Sequence, residues 1–263
     1  MPTLKTALFA ALLVITQTCF ADTCATEDFE THVSGETQCL IMRRFGVTEP
    51  DVMLVWLHGD VSSGGPANYH FRIAESAANE FSSSKALSIA IVRPGYPDGD
   101  GNSSSVSPSQ SGRSDHYTKE NVNEVATAIE HLKKRFNPRK VIVIGHSGGA
   151  ATTANILGLQ PSLIDNAVLV ACPCDLVAWR VGRKEWSRSE NPIALTDKVS
   201  PDAEVIALTG EKDDNTSTAL ARAYVEKLSA RNINASFLPL PNETHNSSFR
   251  SPEVFNAIRK LLQ

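Results

Sequence analysis

Apolar residues fall along the chain in two rhythms. Short, largely apolar runs of strand length occupy residues 40–44, 52–57, 87–92, 141–144, 168–171, 205–208 and 235–238. Between them lie longer stretches with apolar positions at steps of three and four: 67–81, a run ending near 136 that is capped by Asp115 or Thr118, 150–159, 217–230 and 252–262. In the second of these, Val122, Val125, Ile129, Leu132 and Phe136 share one helical face. An unbroken apolar run reads as a strand buried on both sides, and strands alternating with helices read as βαβ units. The pattern predicts an α/β fold with a mostly parallel central sheet and helices on both faces. No repeat or linker divides it, so one domain is expected. Two segments break the rhythm. Residues 99–114 are dense in Gly, Ser, Asn and Pro and read as a loop with little structure of its own. Residues 175–203 form a longer excursion with Trp179, Trp186 and several arginines, which reads as a short lid.

Composition adds a few boundaries. With 41% hydrophobic residues in 263, the chain buries a large core and is not disordered. A formal charge of −4 without a Lys/Arg cluster argues against nucleic acid as a partner. At the N-terminus, Lys5 precedes an apolar stretch at 7–15, and the segment ends on the small residue Ala21. This reads as a secretory signal peptide over 1–21, cleaved after Ala21. The run is too short to span a bilayer, so no stable membrane anchor is expected. Polar Thr16, Gln17 and Thr18 argue against a lipid on Cys19. Cleavage leaves Cys24, Cys39, Cys172 and Cys174, an even number that in an exported protein points to disulfides with three possible pairings. Cys24 with Cys39 would tie the mature N-terminus to the first strand, and Cys172 with Cys174 would close a very short loop across Pro173. Metal binding by the Cys172-Pro173-Cys174 unit lacks the second Cys or His pair that a zinc site needs.

The chemistry concentrates in one motif. The strand at 141–144 runs straight into Gly145-His146-Ser147-Gly148-Gly149, and a helix rich in small residues follows. Flanking glycines allow a sharp turn that lifts Ser147 above the sheet. The Gly148 N–H, at the start of the new helix, then faces the place where negative charge develops on a substrate oxygen.

On these residues the chain resembles the α/β-hydrolases, and in detail the dienelactone-hydrolase and prolyl-oligopeptidase-like branch of esterases and peptidases. The resemblance runs from about Val52 to the C-terminus. It rests on His58-Gly59, the Ser147 elbow, Gly210-Glu211-Lys212-Asp213-Asp214 and His245, in that order. It implies a single α/β-hydrolase domain and a Ser147, Asp213, His245 triad, with no metal or organic cofactor. A serine hydroxyl is a weak nucleophile and needs a base. His245, in a polar loop between the last strand and the last helix, is where such a base must hang. His32, His70, His116 and His131 compete less well, and the His146 side chain is expected to point away from its neighbour. The family's G-x-x-D pattern places the acid at Asp213, with Asp214 capping the next helix or bonding locally.

Trp56-Leu57-His58-Gly59-Asp60 looks like the family's oxyanion loop. Asp60 would donate its N–H beside that of Gly148, with Val61 as the fallback, and its carboxylate would have to turn away or be neutralised by a cation. His58 belongs to this loop as an orienting or substrate-contacting residue. Trp179, with Trp186 and Arg180, is expected either to line a substrate pocket or to pack a cap onto the sheet edge. Arg113, Asp115, His116 and Tyr117 face the site or lie on the surface. Sequons occur at Asn102, Asn215, Asn234, Asn242 and Asn246. Asn242 and Asn246 flank His245 and Asn215 lies two residues beyond Asp213, so glycans there would crowd that edge, and a bacterial exporter that leaves these sites unglycosylated is expected. The expected activity is that of a secreted or periplasmic serine esterase on a small-molecule ester. The alternative is a serine peptidase acting on short peptides, and the oligomeric state is left open.

Overall fold

The computed structural model describes residues 24–25, 27–62, 64–107 and 112–263. The signal segment expected over 1–21 lies outside the described residues. Eight strands form one sheet in the order β1-β2-β4-β3-β5-β6-β7-β8. They are β1 (His32–Ser34), β2 (Cys39–Gly46), β3 (Val52–Leu57), β4 (Ala86–Ile91), β5 (Lys140–His146), β6 (Asn166–Val170), β7 (Glu204–Gly210) and β8 (Asn234–Leu240). β2 pairs antiparallel with both β1 and β4, and the remaining pairs are parallel. The helices are α1 (Phe71–Glu80), α2 (Lys119–Phe136), α3 (Gly148–Leu159), the single turn α4 (Leu176–Trp179), α5 (Thr218–Ser229) and α6 (Pro252–Leu261).

The unbroken apolar runs have a plain cause. Along β3, Met53, Val55 and Leu57 enter the core beneath α2, α3 and α5, while Val52, Leu54 and Trp56 enter the core beneath α1 and α6. β5 divides the same way, with Val141 and Val143 on one side and Ile142 and Ile144 on the other. Each strand is buried on both faces, which is what parallel sheets require. β1 escaped the sequence pattern because three residues are too few to show a period. Thr118, not Asp115, caps α2, its side chain accepting from the Asn121 N–H. α1 starts later than its apolar spacing predicts, because the Ala67 N–H is taken by Pro97 O at 2.8 Å.

Two expectations about loops change. The Gly/Ser-rich stretch is tied down through Ser105: the Ser104 hydroxyl donates to Val92 O at 2.6 Å, and the Ser105 N–H to Cys39 O at 2.9 Å. The excursion at 175–203 divides in two. Its second part is a 3-10 turn, Pro192–Lys198, that buries Leu195 and Thr196, with Val199 and Ala203 buried just beyond it. The first part, 175–191, carries α4 and leaves Val177 and Val181 exposed, so it alone has the character of a cap. Disulfides join Cys24 to Cys39, at the start of β2, and Cys172 to Cys174, just beyond β6.

Trp56 shows how tightly the centre is specified. Its indole N–H donates to Ser88 Oγ at 2.9 Å across β3 and β4, with both side chains fully enclosed. Ser88→Ala removes the acceptor and strands a buried donor, which should destabilise the protein by roughly 1–3 kcal/mol. Urea unfolding of the two proteins measures this, and an unchanged midpoint would show that the N–H finds another partner.

Candidate active site

Each strand that reaches the site ends there by its carboxyl terminus, where parallel α/β sheets leave backbone groups open. β5 delivers Ser147, β3 the 58–60 loop, β4 Arg93, β7 Asp213 and β8 His245. Ser147 takes φ +51° and ψ −115°, a left-handed backbone that a residue with a Cβ rarely adopts. The turn is possible because its neighbours are glycines. A Cβ on Gly145 would overlap Gly149 O, and one on Gly149 would overlap Leu57 O. A Cβ on Gly148 would meet the Asp60 carboxylate.

The geometry brings Ser147, His245 and Asp213 together. The Ser147 hydroxyl lies 3.0 Å from His245 Nε2, and His245 Nδ1 lies 2.9 Å from Asp213 Oδ2. An ionised Asp213 accepts only, so Nδ1 carries the proton and Nε2 offers its lone pair to the serine. Asp213 is buried, and burial alone would raise its pKa. Hydrogen bonds from His245 and from the Thr216 backbone outweigh that and hold it below the usual carboxylate range. Asp213 also accepts from the Asn215 and Thr216 N–H groups at 2.9 and 2.8 Å. The local bonding assigned to Asp214 therefore belongs to Asp213. Asp214 is exposed, and the cap position of α5 falls on Ser217.

The Asp60 side chain turns away from the serine and meets its cation. Arg93 Nη2 donates to Asp60 Oδ1 at 2.6 Å, Tyr117 to Oδ2 at 2.6 Å, and Tyr96 to Oδ1 at 3.2 Å. Arg93 is fully enclosed. Burial would raise the Asp60 pKa, yet the Arg93 charge prevails and the carboxyl stays ionised below its ordinary value. Burial and the negative charge of Asp60 push the Tyr117 hydroxyl well above its ordinary value, against the opposing charge of Arg93, so it remains a donor. Neither the Asp60 N–H nor the Gly148 N–H donates to a protein acceptor among the described residues.

A second chain of hydrogen bonds links the loops. The Gly59 N–H donates to the Tyr69 hydroxyl at 2.5 Å, and that hydroxyl donates to His146 Nδ1 at 2.7 Å. His146 Nε2 donates to His245 O at 3.0 Å, and its ring stacks on Phe249 with centroids 4.9 Å apart. His146 thus points away from Ser147, as expected, but into a defined role beside it.

Two expected substrate contacts are placed otherwise. His58 is wholly buried: its Nδ1 donates to Gly59 O at 2.7 Å and its Nε2 accepts from the Arg93 N–H at 2.9 Å. With both ring nitrogens engaged, it braces the loop and reaches no substrate. Trp179 packs with Trp186 over Tyr117, and its indole N–H donates to Asn215 O at 2.9 Å. Neither tryptophan lines the cavity of about 450 Å³ beside Ser147, which is bounded by Asp60, Val61, Tyr69, His146, His245 and Arg250. Tyr117 and His116 are buried, not surface residues. Tyr69, Arg93, Asn215 and Thr216 were not singled out from sequence, although a lone Arg at the end of a buried strand was a signal for one of them. No group of three metal-ligating side chains occurs among the described residues.

His58, His70, His116 and His146 are buried and titrate below the ordinary histidine value, His70 at about 3 and His116 and His146 at about 4, with burial the leading cause. Unfolding returns each to about 6.5, so the unfolded chain binds protons that the folded chain refuses. Stability is therefore full above that value. Below it, stability is lost by roughly 1.4 kcal/mol per pH unit for each histidine, until the folded values are reached. Urea unfolding followed from neutral pH to about 4.5 should show this decline with uptake approaching four protons. A flat midpoint would mean the folded protein already protonates these rings.

Comparison with known proteins follows the same line. The model of the alpha/beta hydrolase family matches residues 54–205. No curated protein matches the chain. Among solved structures, the chain is similar to Est1E from Butyrivibrio proteoclasticus with ferulic acid bound, at TM-score 0.66 and 13% identity, covering 88% of this chain and 97% of that one. It is similar to the Pyrococcus furiosus esterase Pf2001 at TM-score 0.63 and 14% identity, over 88% and 89% of the two chains. It is also similar to Pyrococcus horikoshii acylaminoacyl peptidase at TM-score 0.65 and 13% identity, over 88% of this chain but 39% of that one. At these identities the likeness is one of fold.

Proposed function

This chain belongs to the alpha/beta hydrolase family, and on that premise we propose that it is an exported serine hydrolase cleaving carboxylic esters. The observation that carries the reading is the alignment of Ser147 Oγ, His245 Nε2 and Asp213 Oδ2 at successive hydrogen-bond distances of 3.0 and 2.9 Å. In it, Ser147 attacks the acyl carbon as His245 takes its proton, and Asp213 orients the ring and stabilises the imidazolium. The Gly148 and Asp60 N–H groups receive the oxyanion. Arg93 is what makes Asp60 tolerable there: a neutralised carboxylate places little net negative field against a developing anion. An acyl-enzyme forms, and water activated by His245 clears it.

Export is supported by the apolar stretch at 7–15 within a segment ending on Ala21, and by two disulfides, which persist in oxidising compartments. No described helix is long and apolar enough to cross a membrane. Two of the similar solved structures are named as esterases or solved with an aromatic acid, and one as a peptidase. The peptidase alternative thus keeps a place in the test.

A fluorophosphonate probe should label the protein, and Ser147→Ala should abolish labelling. Asp213→Asn should lower kcat on p-nitrophenyl esters by about 10³-fold or more, whereas Asp214→Asn changes it only a few-fold. Labelling that survives Ser147→Ala would remove the nucleophile from this account, and faster turnover of aminoacyl-anilides than of esters would make the protein a peptidase.

A further inference from the structure

Asn215 stands beside the catalytic histidine, just outside the residues that line the cavity. Its Nδ2 lies 3.4 Å from His245 Nε2, the atom that also receives the Ser147 hydroxyl at 3.0 Å. The orientation of the amide is fixed by its surroundings. Arg183 Nη1 donates to Asn215 Oδ1 at 3.1 Å, and an arginine can only donate, so the NH2 end must face the imidazole. The backbone is held equally firmly, by Trp179 Nε1 donating to Asn215 O and by the Asn215 N–H donating to Asp213 Oδ1. A cap segment and the acid together hold one neutral donor against the base.

In the resting state this donor is redundant. Nε2 has a single lone pair, and the nearer serine takes it. We infer that Asn215 is a further catalytic residue, which binds the oxygen that leaves in the first half-reaction and enters in the second, and so favours oxygen esters over amides. The inference rests on the Ser147–His245–Asp213 reading above.

The chemistry runs as follows. Ser147 Oγ bonds to the acyl carbon while its proton passes to Nε2. The bond from that carbon to the alcohol oxygen then breaks, the oxygen keeps the electron pair, and the proton on Nε2 moves to it. An alcohol oxygen has lone pairs to spare, so it takes the proton and still accepts from the Asn215 N–H. In the second half-reaction a water occupies the same place, giving its proton to Nε2 and accepting from Asn215. Its oxygen bonds to the acyl carbon, the bond to Oγ breaks, and the proton returns to Ser147. An amide nitrogen behaves differently. Its one lone pair is consumed by the proton, and its remaining N–H would oppose the Asn215 N–H, donor against donor. The site therefore discriminates by hydrogen-bond polarity at the leaving atom, in the way that unpaired polar groups discriminate elsewhere.

Wild type and Asn215→Ala, made in a bacterial host because Asn215-Thr216-Ser217 is a sequon, are compared on acetate esters and an acetyl anilide. The expected result for Asn215→Ala is a fall in kcat/KM of about tenfold or more on the ethyl ester, whose leaving oxygen needs its proton. The p-nitrophenyl ester, whose leaving group departs as an anion, should keep kcat/KM within about threefold and accumulate acyl-enzyme visible by intact mass. Anilide turnover should not fall. Arg183→Ala, which frees the amide to rotate, should reproduce a weaker form of the same pattern. Equal losses on all three substrates, or none on any, would overturn the proposal and leave Asn215 as a structural residue. Fluorophosphonate labelling separates the two readings. A wild type that does not label removes the triad itself and this proposal with it, whereas a labelled Asn215→Ala without leaving-group dependence refutes this proposal alone.

Discussion

A backbone conformation that side chains ordinarily avoid governs the centre of this molecule. Ser147 sits at φ +51° where β5 must turn abruptly into α3, and nothing in the serine itself favours it. The turn persists because its surroundings leave no alternative. Gly145 and Gly149 are pressed against backbone atoms from the helix and from β3, and the Ser147 N–H is held by Val170 O at 2.8 Å on the adjacent strand. Two cores, one on each face of the sheet, supply the packing that enforces it. The usual cost of such a conformation is about 1–3 kcal/mol, small against the burial that holds it.

From this fixed point the rest of the site is arranged by charge. A carboxylate taken out of water without a partner is unfavourable, and Asp60 lies against Gly148 beside the turn. Arg93, Tyr96 and Tyr117 convert it into the anchor of a buried network, enclosed between the 58–60 loop, β4 and the start of α2. Gly148 has to be glycine partly to make room for that carboxylate. The motif glycine and the ion pair are thus two aspects of one packing solution. The cap segment reaches the site through Trp186 on Tyr117 and Trp179 on Asn215.

What could be read from sequence follows from how local the signal is. Strands such as β3 and β5 are buried on both faces, so their apolar runs announce them, and α2 declares itself through Thr118 and its apolar stripe. Ser147, Asp213 and His245 each follow or precede a legible element, so their meeting could be anticipated from chain order. Arg93, Tyr69 and Asn215 could not, because each acquires its role from a residue dozens of positions away. His58 and Trp179 each carry two readings in sequence, because position alone does not separate a substrate contact from a packing role. Burial and engaged ring nitrogens make His58 a brace, and the Trp179 indole is spent on a backbone carbonyl. The excursion at 175–203 looked like one unit because composition does not distinguish a surface cap from a turn whose leucine fills the groove beside α3.

The chain of bonds from Gly59 through Tyr69 and His146 to the carbonyl of His245 has a temporal side. Its members come from four places in the sequence, the last of them 99 positions beyond His146. The last of these bonds cannot form until β8 has docked at the far edge of the sheet and brought its following loop back across the elbow. Contacts this distant in sequence are the slow ones in folding. A newly made chain would therefore pass through a stage with much of its sheet in place and Ser147 still without its His245 partner. The site would be completed with the C-terminal segment, as a single late event.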